Sequence, residues 1–121
     1  MKKFNLLLAS VTLIGATFVA NGANAHAKLQ SAVPAAGSTV DSPSSIMLHF
    51  SEKVAPKLSG FDVSMGGSMK VDVAPVADSS GTMLTTPVKG KLMAGTYTVN
   101  WHAVASDDGH RTSGQYTFVV K

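Results

Sequence analysis

The segment from Gly95 to Val104 alternates apolar and polar side chains, and this alternation constrains the fold more than any other feature of the chain. One parity is apolar or aromatic and holds Tyr97, Val99, Trp101 and Ala103. The other parity is polar and holds Thr98, Asn100 and His102. Successive side chains of a strand point to opposite faces of its sheet, so the pattern predicts a strand with one face in a core.

Six weaker segments contain short apolar runs or the same alternation: 28–33, 46–50, 61–65, 71–73, 82–86 and 115–120. Prolines at positions 34, 43, 56, 75 and 87 punctuate the chain, and no segment after residue 25 has the apolar spacing of an amphipathic helix. Seven short strands predict an all-β, immunoglobulin-like Greek-key β-sandwich, with Trp101 and Phe50 as central packing residues between its two sheets. A closed barrel is the alternative.

The amino terminus has the pattern of a secretory signal peptide. Lys2 and Lys3 precede an apolar run over residues 6–20, and Ala23 and Ala25 occupy the small-residue positions of a cleavage site. The apolar run is shorter than the roughly 20 residues that a membrane-spanning helix needs. We therefore expect cleavage after Ala25, with a signal peptide over residues 1–25 and one domain over residues 26–121.

Charge and cysteine content narrow the function classes for the processed chain. Loss of Lys2 and Lys3 lowers the formal net charge from +3 to +1, and no basic run remains that would favour nucleic acid or an anionic membrane. The sequence contains no cysteine, which excludes disulfides and thiolate ligands. Any metal ion must therefore be held by nitrogen, oxygen or thioether ligands.

Cleavage after Ala25 would give His26 a free α-amine. That amine and the imidazole of the same residue can close a chelate ring on one metal ion, and both lose protons readily near neutral pH. The alternative is an ordinary frayed chain terminus.

A second candidate ligand group follows the best-predicted strand, at Asp108-Gly109-His110. This tripeptide alone is equally typical of a turn in which Asp108 caps backbone amides. Combined with His26, it completes a set of one amine, two imidazoles and one carboxylate. Such a set favours Cu(II), with Ni(II) next, and suits Zn(II) less well.

These motifs resemble the CopC/PcoC family of periplasmic copper-binding proteins. The resemblance extends over residues 26–121 and rests on five motifs: His26–Leu29, Leu48–Glu52, Gly95–Trp101, Ser106–His110 and Gly114–Phe118. It implies a cupredoxin-resembling β-sandwich that binds Cu(II) in the periplasm through His26, Asp108 and His110. Asp107 is not assigned as a ligand, because only Asp108 lies two residues before the histidine.

Some members of this family also bind Cu(I) at a methionine-rich loop, and thioether sulfur is a suitable soft ligand for that ion. This chain lacks the dense cluster but retains Met65, Met69 and Met83 as candidate Cu(I) ligands. The alternative is that these methionines fill gaps in the core. Met47 and Met93 are interpreted as packing or surface residues.

Two further residues are candidates for supporting the Cu(II) ligands. The resemblance suggests that Glu52 lies near the copper and hydrogen-bonds to a ligand, and a plain surface carboxylate is its alternative. His102 belongs to the strand that leads to Asp108 and His110. We expect it, like His49, to lie on a solvent-facing strand position.

The leading functional hypothesis is a non-catalytic, monomeric copper protein that serves copper homeostasis, resistance or transfer. Its candidate partners are the copper ion and an inner-membrane copper transporter or another copper-handling protein. A copper mono-oxygenase with a histidine brace is one alternative, although a carboxylate ligand would occupy the position that catalysis needs open. A metal-free adhesion or assembly module is another, and it leaves His26 unexplained.

Overall fold

The structure is a computed structural model that describes residues 27–121. The predicted signal peptide and His26 therefore lie outside the described residues. No helix that could cross a membrane occurs between residues 27 and 121.

The described chain forms two packed β-sheets. Its strands are Leu29–Val33 (β1), Thr39–Val40 (β2), Ser45–Phe50 (β3), Gly60–Met65 (β4), Met69–Val71 (β5), Val76–Ala77 (β6), Met83–Pro87 (β7), Gly95–Val104 (β8) and Arg111–Val120 (β9). One sheet has the order β1-β3-β7-β6 and the other the order β2-β9-β8-β4-β5. The chain crosses repeatedly between the sheets, which confirms the predicted all-β sandwich.

The core lies between the sheets and follows the predicted alternation. From the four-stranded sheet it receives Ile46, Leu48, Phe50 and Leu84, and from the five-stranded sheet Val63, Tyr97, Val99 and Phe118. All eight are at most 2% exposed. The stacked rings of Tyr97 and Phe118 lie 5.5 Å apart between centroids, and burying such large aromatic side chains stabilises the core.

Phe50 is a central core residue as the sequence predicts, whereas Trp101, predicted to be central as well, contacts Phe50 from the margin of the core. Their rings meet edge to face with centroids 5.4 Å apart. Trp101 remains partly exposed, because it lies at the margin of the core over Gly114 of the neighbouring strand. A Cβ on Gly114 would lie 2.8 Å from the indole Cζ2, so glycine is required there by close packing.

Six of the seven predicted strands are present. The seventh, predicted over residues 71–73, lies instead at Met69–Val71, because the tight turn after β4 places Met69 opposite Met65. Two more strands, β2 and β6, have two residues each. The last strand begins at Arg111 instead of residue 115, and its register with β8 is unbroken from Arg111 to Val120. β8 and β9 thus form a hairpin of two ten-residue strands, and the connecting loop, residues 105–110, carries Asp108 and His110.

Candidate metal centre

The loop between β8 and β9 is fixed by backbone hydrogen bonds. The Ala105 N–H donates to the His110 carbonyl at 2.9 Å, and the Gly109 N–H donates to the Ala105 carbonyl at 3.0 Å. Gly109 has a φ of 74°, a left-handed conformation that glycine adopts without strain. Outside the hairpin, the Ser106 N–H donates to the Lys53 carbonyl at 2.9 Å, which fastens the loop to the segment after β3.

Within this loop the structure brings the Asp108 and His110 side chains into contact. Asp108 Oδ1 accepts a hydrogen bond from the His110 backbone N–H at 3.0 Å, and Asp108 Oδ2 lies 3.0 Å from His110 Nδ1. The His110 side chain is 61% exposed and that of Asp108 is 35% exposed. A carboxylate and an imidazole are therefore held together in a position that an ion can reach from solvent.

The segment that follows His26 is tied to the same end of the sandwich. Ala27 is fully buried, and its carbonyl accepts a hydrogen bond of 2.7 Å from Thr112 Oγ1. Thr112 is the second residue of β9 and lies two residues after His110. The covalent neighbour of His26 is thus attached to the strand that begins immediately after the candidate ligands.

A second pair of contacts secures this segment to the end of β3. The Lys28 N–H donates to Ser51 Oγ at 2.9 Å, and the Ser51 N–H donates to the Lys28 carbonyl at 2.8 Å. Residues 27 and 28 are therefore held on two sides. These contacts could not be predicted from the sequence, because Thr112 and Ser51 belong to no recognisable metal-binding pattern.

Glu52 lies between two residues that fasten the two halves of the candidate site. Ser51 holds the amino-terminal segment, and Lys53 holds the loop that contains Asp108 and His110. The Glu52 side chain is half-buried. Glu52 therefore lies at the same end of the sandwich as Asp108 and His110, and its hydrogen bond to a copper ligand stays a prediction.

His102 lies on the outer face of the five-stranded sheet. It is opposite Gly60 of β4 and Ser113 of β9, and a Cβ on Gly60 would contact the imidazole at 3.6 Å. The ring therefore lies over β4, on the other parity from the apolar residues of β8. Between residues 27 and 121, no group of three or more His, Asp or Glu side chains converges as a metal site would.

The structure separates the three methionines that were considered together. Met65 and Met69 are directly opposite each other in the β4–β5 hairpin, whereas Met83 lies in the other sheet opposite His49. Met93, interpreted from the sequence as packing or surface, shares with Met65 and Met69 a cleft of about 200 Å³. The sequence signal for Met93 was only its position two residues before β8.

The geometry of this cleft is set by β8. The Tyr97 hydroxyl donates a 2.6 Å hydrogen bond to the Met93 carbonyl, which fixes the loop before β8. The Met65 methyl lies close to Gly95, where an added Cβ would be 2.9 Å from it. Three thioether side chains are therefore gathered at the edge of the sandwich.

Comparison with known proteins agrees with the resemblance of the motifs. A family model described as the CopC domain matches residues 29–121. Copper resistance protein C of Escherichia coli is 42% identical over 113 residues, which cover 85% of this chain and 87% of that protein. Copper resistance protein C of Pseudomonas syringae pv. tomato is 39% identical over 120 residues, which cover 92% of this chain and 94% of that protein.

Solved structures give the same result. The crystal structure of PcoC, described as a methionine-rich copper resistance protein from Escherichia coli, has a TM-score of 0.73 and 39% identity, covering 80% of this chain and 100% of that one. The crystal structure of CopC from Methylosinus trichosporium OB3b has a TM-score of 0.73 and 28% identity, and the match covers 79% of this chain and 94% of that one. By sequence and by fold, the chain belongs to the CopC domain family.

Proposed function

We propose that the processed chain, residues 26–121, is a periplasmic copper-binding protein that holds one Cu(II) for copper homeostasis, resistance or transfer. Its ligands are the α-amine and imidazole of His26, the carboxylate of Asp108 and the imidazole of His110. The observation that carries this proposal is the 2.7 Å hydrogen bond from Thr112 Oγ1 to the Ala27 carbonyl. The names of the relatives, copper resistance protein C, support copper as the ion.

The anchoring of Ala27 supports the proposal by limiting how far His26 can lie from His110. Adjacent Cα atoms are about 3.8 Å apart, and two residues along a strand span about 6.6 Å. His26 is one residue from Ala27, and His110 is two residues from Thr112, the residue that binds Ala27. Two imidazoles and an amine within this range can meet at one ion.

The contact between Asp108 and His110 favours coordination through a defined ring nitrogen. Because Nδ1 of His110 lies 3.0 Å from the Asp108 carboxylate, Nε2 is the nitrogen that would bind the ion while this contact persists. A carboxylate oxygen has two lone pairs, so Asp108 can orient His110 and still bind the ion. Three nitrogens and one oxygen in tetragonal geometry suit Cu(II).

The same arrangement supports binding rather than catalysis. The Asp108 carboxylate would occupy a coordination position that an oxygen-activating copper enzyme keeps open. Reductant-dependent turnover of oxygen by the copper-loaded protein would favour the mono-oxygenase alternative instead. We expect the bound copper to pass to a copper transporter or another copper-handling protein.

A second proposal concerns Cu(I) at the edge of the sandwich. Met65 and Met69, with Met93 in place of Met83, present three thioethers to one cleft, and thioethers favour Cu(I). The protein would then hold the two oxidation states at different ends of the five-stranded sheet.

The Cu(II) proposal is tested by exchanging single ligands in the protein that begins at His26. We expect Asp108→Asn and His110→Gln each to weaken Cu(II) binding by at least about tenfold and to change its electron paramagnetic resonance spectrum. Asp107→Asn is the matched control, because it removes the adjacent carboxylate and should change the affinity by less than about threefold. Equal losses from Asp107→Asn and Asp108→Asn would contradict the assignment.

A further inference from the structure

We propose that the outer face of the four-stranded sheet carries a separate Cu(I) site built from His49, Met83 and Met47. This site goes beyond the proposed Cu(II) function, because it requires neither cleavage of the signal peptide nor the α-amine. It is also distinct from the cleft of Met65, Met69 and Met93, which belongs to the five-stranded sheet.

Strand register brings the three side chains together. His49 of β3 is directly opposite Met83 of β7, and Met47 is opposite Thr85, one register step away on the same face. Directly opposed side chains in an antiparallel pair have Cβ atoms about 4.5–5.5 Å apart, and diagonal neighbours are about 7–8 Å apart. Long methionine side chains span these distances, so both sulfur atoms can reach the imidazole.

The burial pattern shows that all three share the outer face. Ile46, Leu48 and Phe50 are buried in the core, which turns Met47 and His49 to the opposite face of β3. Leu84 and Thr86 are buried in β7, which turns Met83 outward in the same way. Each of the three outer side chains is only half-buried. They are therefore excluded from the core but remain close to one another.

The backbone at Met83 is fixed before any ion binds. The Asp78 carboxylate accepts hydrogen bonds from the Gly81 N–H at 3.1 Å and the Met83 N–H at 3.3 Å. The Phe50 N–H donates to the Thr82 carbonyl at 2.8 Å, which fastens the start of β7 to the end of β3. Little backbone ordering is thus required when the ligands bind.

The chemistry of the group selects a soft monovalent ion. Two thioethers and one imidazole carry no charge when the imidazole is neutral, and soft sulfur ligands favour Cu(I) over hard cations. The facing register positions hold Ser31, Val33 and Thr85, none of which has a carboxylate that would attract Ca²⁺ or Mg²⁺. The set therefore matches Cu(I) better than Zn²⁺ or the alkaline earth ions.

The test uses protein with one extra residue before His26 and ¹³C-labelled methionine methyl groups, titrated with Cu(I) under reducing, oxygen-free conditions. The extension removes the α-amine ligand, so failure of the Cu(II) proposal cannot be mistaken for failure of this one. We expect the Met47 and Met83 methyl signals and the His49 ring signals to shift together and to saturate. If these signals stay unchanged while those of Met65, Met69 and Met93 saturate, the site does not exist.

Variants give a second, independent measurement. In a Met65→Leu, Met69→Leu, Met93→Leu background that removes the thioethers of the other cleft, His49→Asn should weaken the remaining Cu(I) binding at least about tenfold. His102→Asn is the matched control, because His102 is a half-exposed strand histidine on the outer face of the other sheet. Equal Cu(I) affinity in the two variants would overturn the proposal.

Discussion

Thr112 is the residue on which the geometry of the candidate Cu(II) site most depends. Its hydroxyl donates to the carbonyl of fully buried Ala27, so it determines where the residue after His26 lies. Asp108 and His110 are positioned by their own loop, whereas the amino-terminal ligands depend on a contact between residues 85 positions apart. A residue that binds no ion can therefore control the affinity of the site.

We predict that Thr112→Val lowers the Cu(II) affinity about tenfold without removing any ligand. The substitution leaves the buried Ala27 carbonyl without its donor, which costs about 1–3 kcal/mol, and it loosens the segment next to His26. Thr117→Val is the control, since Thr117 lies on the same strand with an exposed side chain. Isothermal titration of both variants measures the effect, and equal Cu(II) affinities would contradict it.

Tyr116 gives a prediction about stability at alkaline pH. Among the residues that the structure describes, its hydroxyl is a buried polar atom with no hydrogen-bond partner. Burial raises the pKa of Tyr116 to about 12, from an ordinary value of 10.0. A raised pKa means that the neutral phenol is favoured by folding. The stability it contributes is full below pH 10 and is lost as the pH rises towards 12.

Tyr116→Phe should therefore leave stability at pH 7 unchanged or raise it, because it removes a buried polar group that has no partner. It should also reduce the fall in the free energy of unfolding between pH 9 and pH 11.5 by about 1–2 kcal/mol. Urea unfolding at both pH values measures this difference. A loss of stability at pH 7 would show that the hydroxyl has a partner, and an unchanged alkaline fall would contradict the raised pKa of Tyr116.

At the scale of elements, the β8–β9 hairpin contributes core residues and also carries Asp108 and His110. The part of β9 before residue 115 was missed from sequence for an identifiable reason. Its inward positions hold Thr112 and Gly114, so no apolar alternation appears there. Thr112 hydrogen-bonds to Ala27 and Gly114 makes room for Trp101. Both residues are thus chosen by contacts with residues far away in the sequence. β2 and β6 were missed because two-residue strands have no measurable period.

The close approach of Trp101 to Gly114 is tested by adding one methyl group. We predict that Gly114→Ala destabilises the protein by about 1–3 kcal/mol, because the indole must move and the core margin becomes overpacked. Gly60→Ala is the matched control: it lies in β4 with an ordinary contact of 3.6 Å to His102. Chemical denaturation followed by Trp101 fluorescence compares them, and equal stabilities would contradict the steric account.

Much of the candidate site follows from local sequence, and the rest does not. Asp108 and His110 are two residues apart in one loop, so their contact could be predicted from the motif. The grouping of the methionines could not be predicted from the sequence. Strand pairing places Met83 opposite His49, and Met93, not Met83, shares the cleft with Met65 and Met69. His26 remains a prediction from the cleavage pattern, because it lies outside the described residues.

At the scale of the whole molecule, the proposed Cu(II) site joins the first processed residue to the loop between the last two strands. In this proposal the sandwich supplies a carboxylate and an imidazole, His26 supplies the second imidazole, and cleavage would supply the amine. Folding and export would thus both be required before the protein can bind Cu(II). A change at the amino terminus therefore tests the proposed Cu(II) site most directly.

The decisive measurement is the Cu(II) affinity of two proteins that both begin at His26 and differ only in whether its α-amine is free or acetylated. In the acetylated protein the nitrogen of His26 is an amide, and no free amine remains to start a chelate ring. We predict that its affinity is at least about 100-fold lower than that of the protein with the free amine, with unchanged folding stability in the absence of metal. Equal Cu(II) affinities and identical paramagnetic spectra in the two proteins would contradict the proposed site.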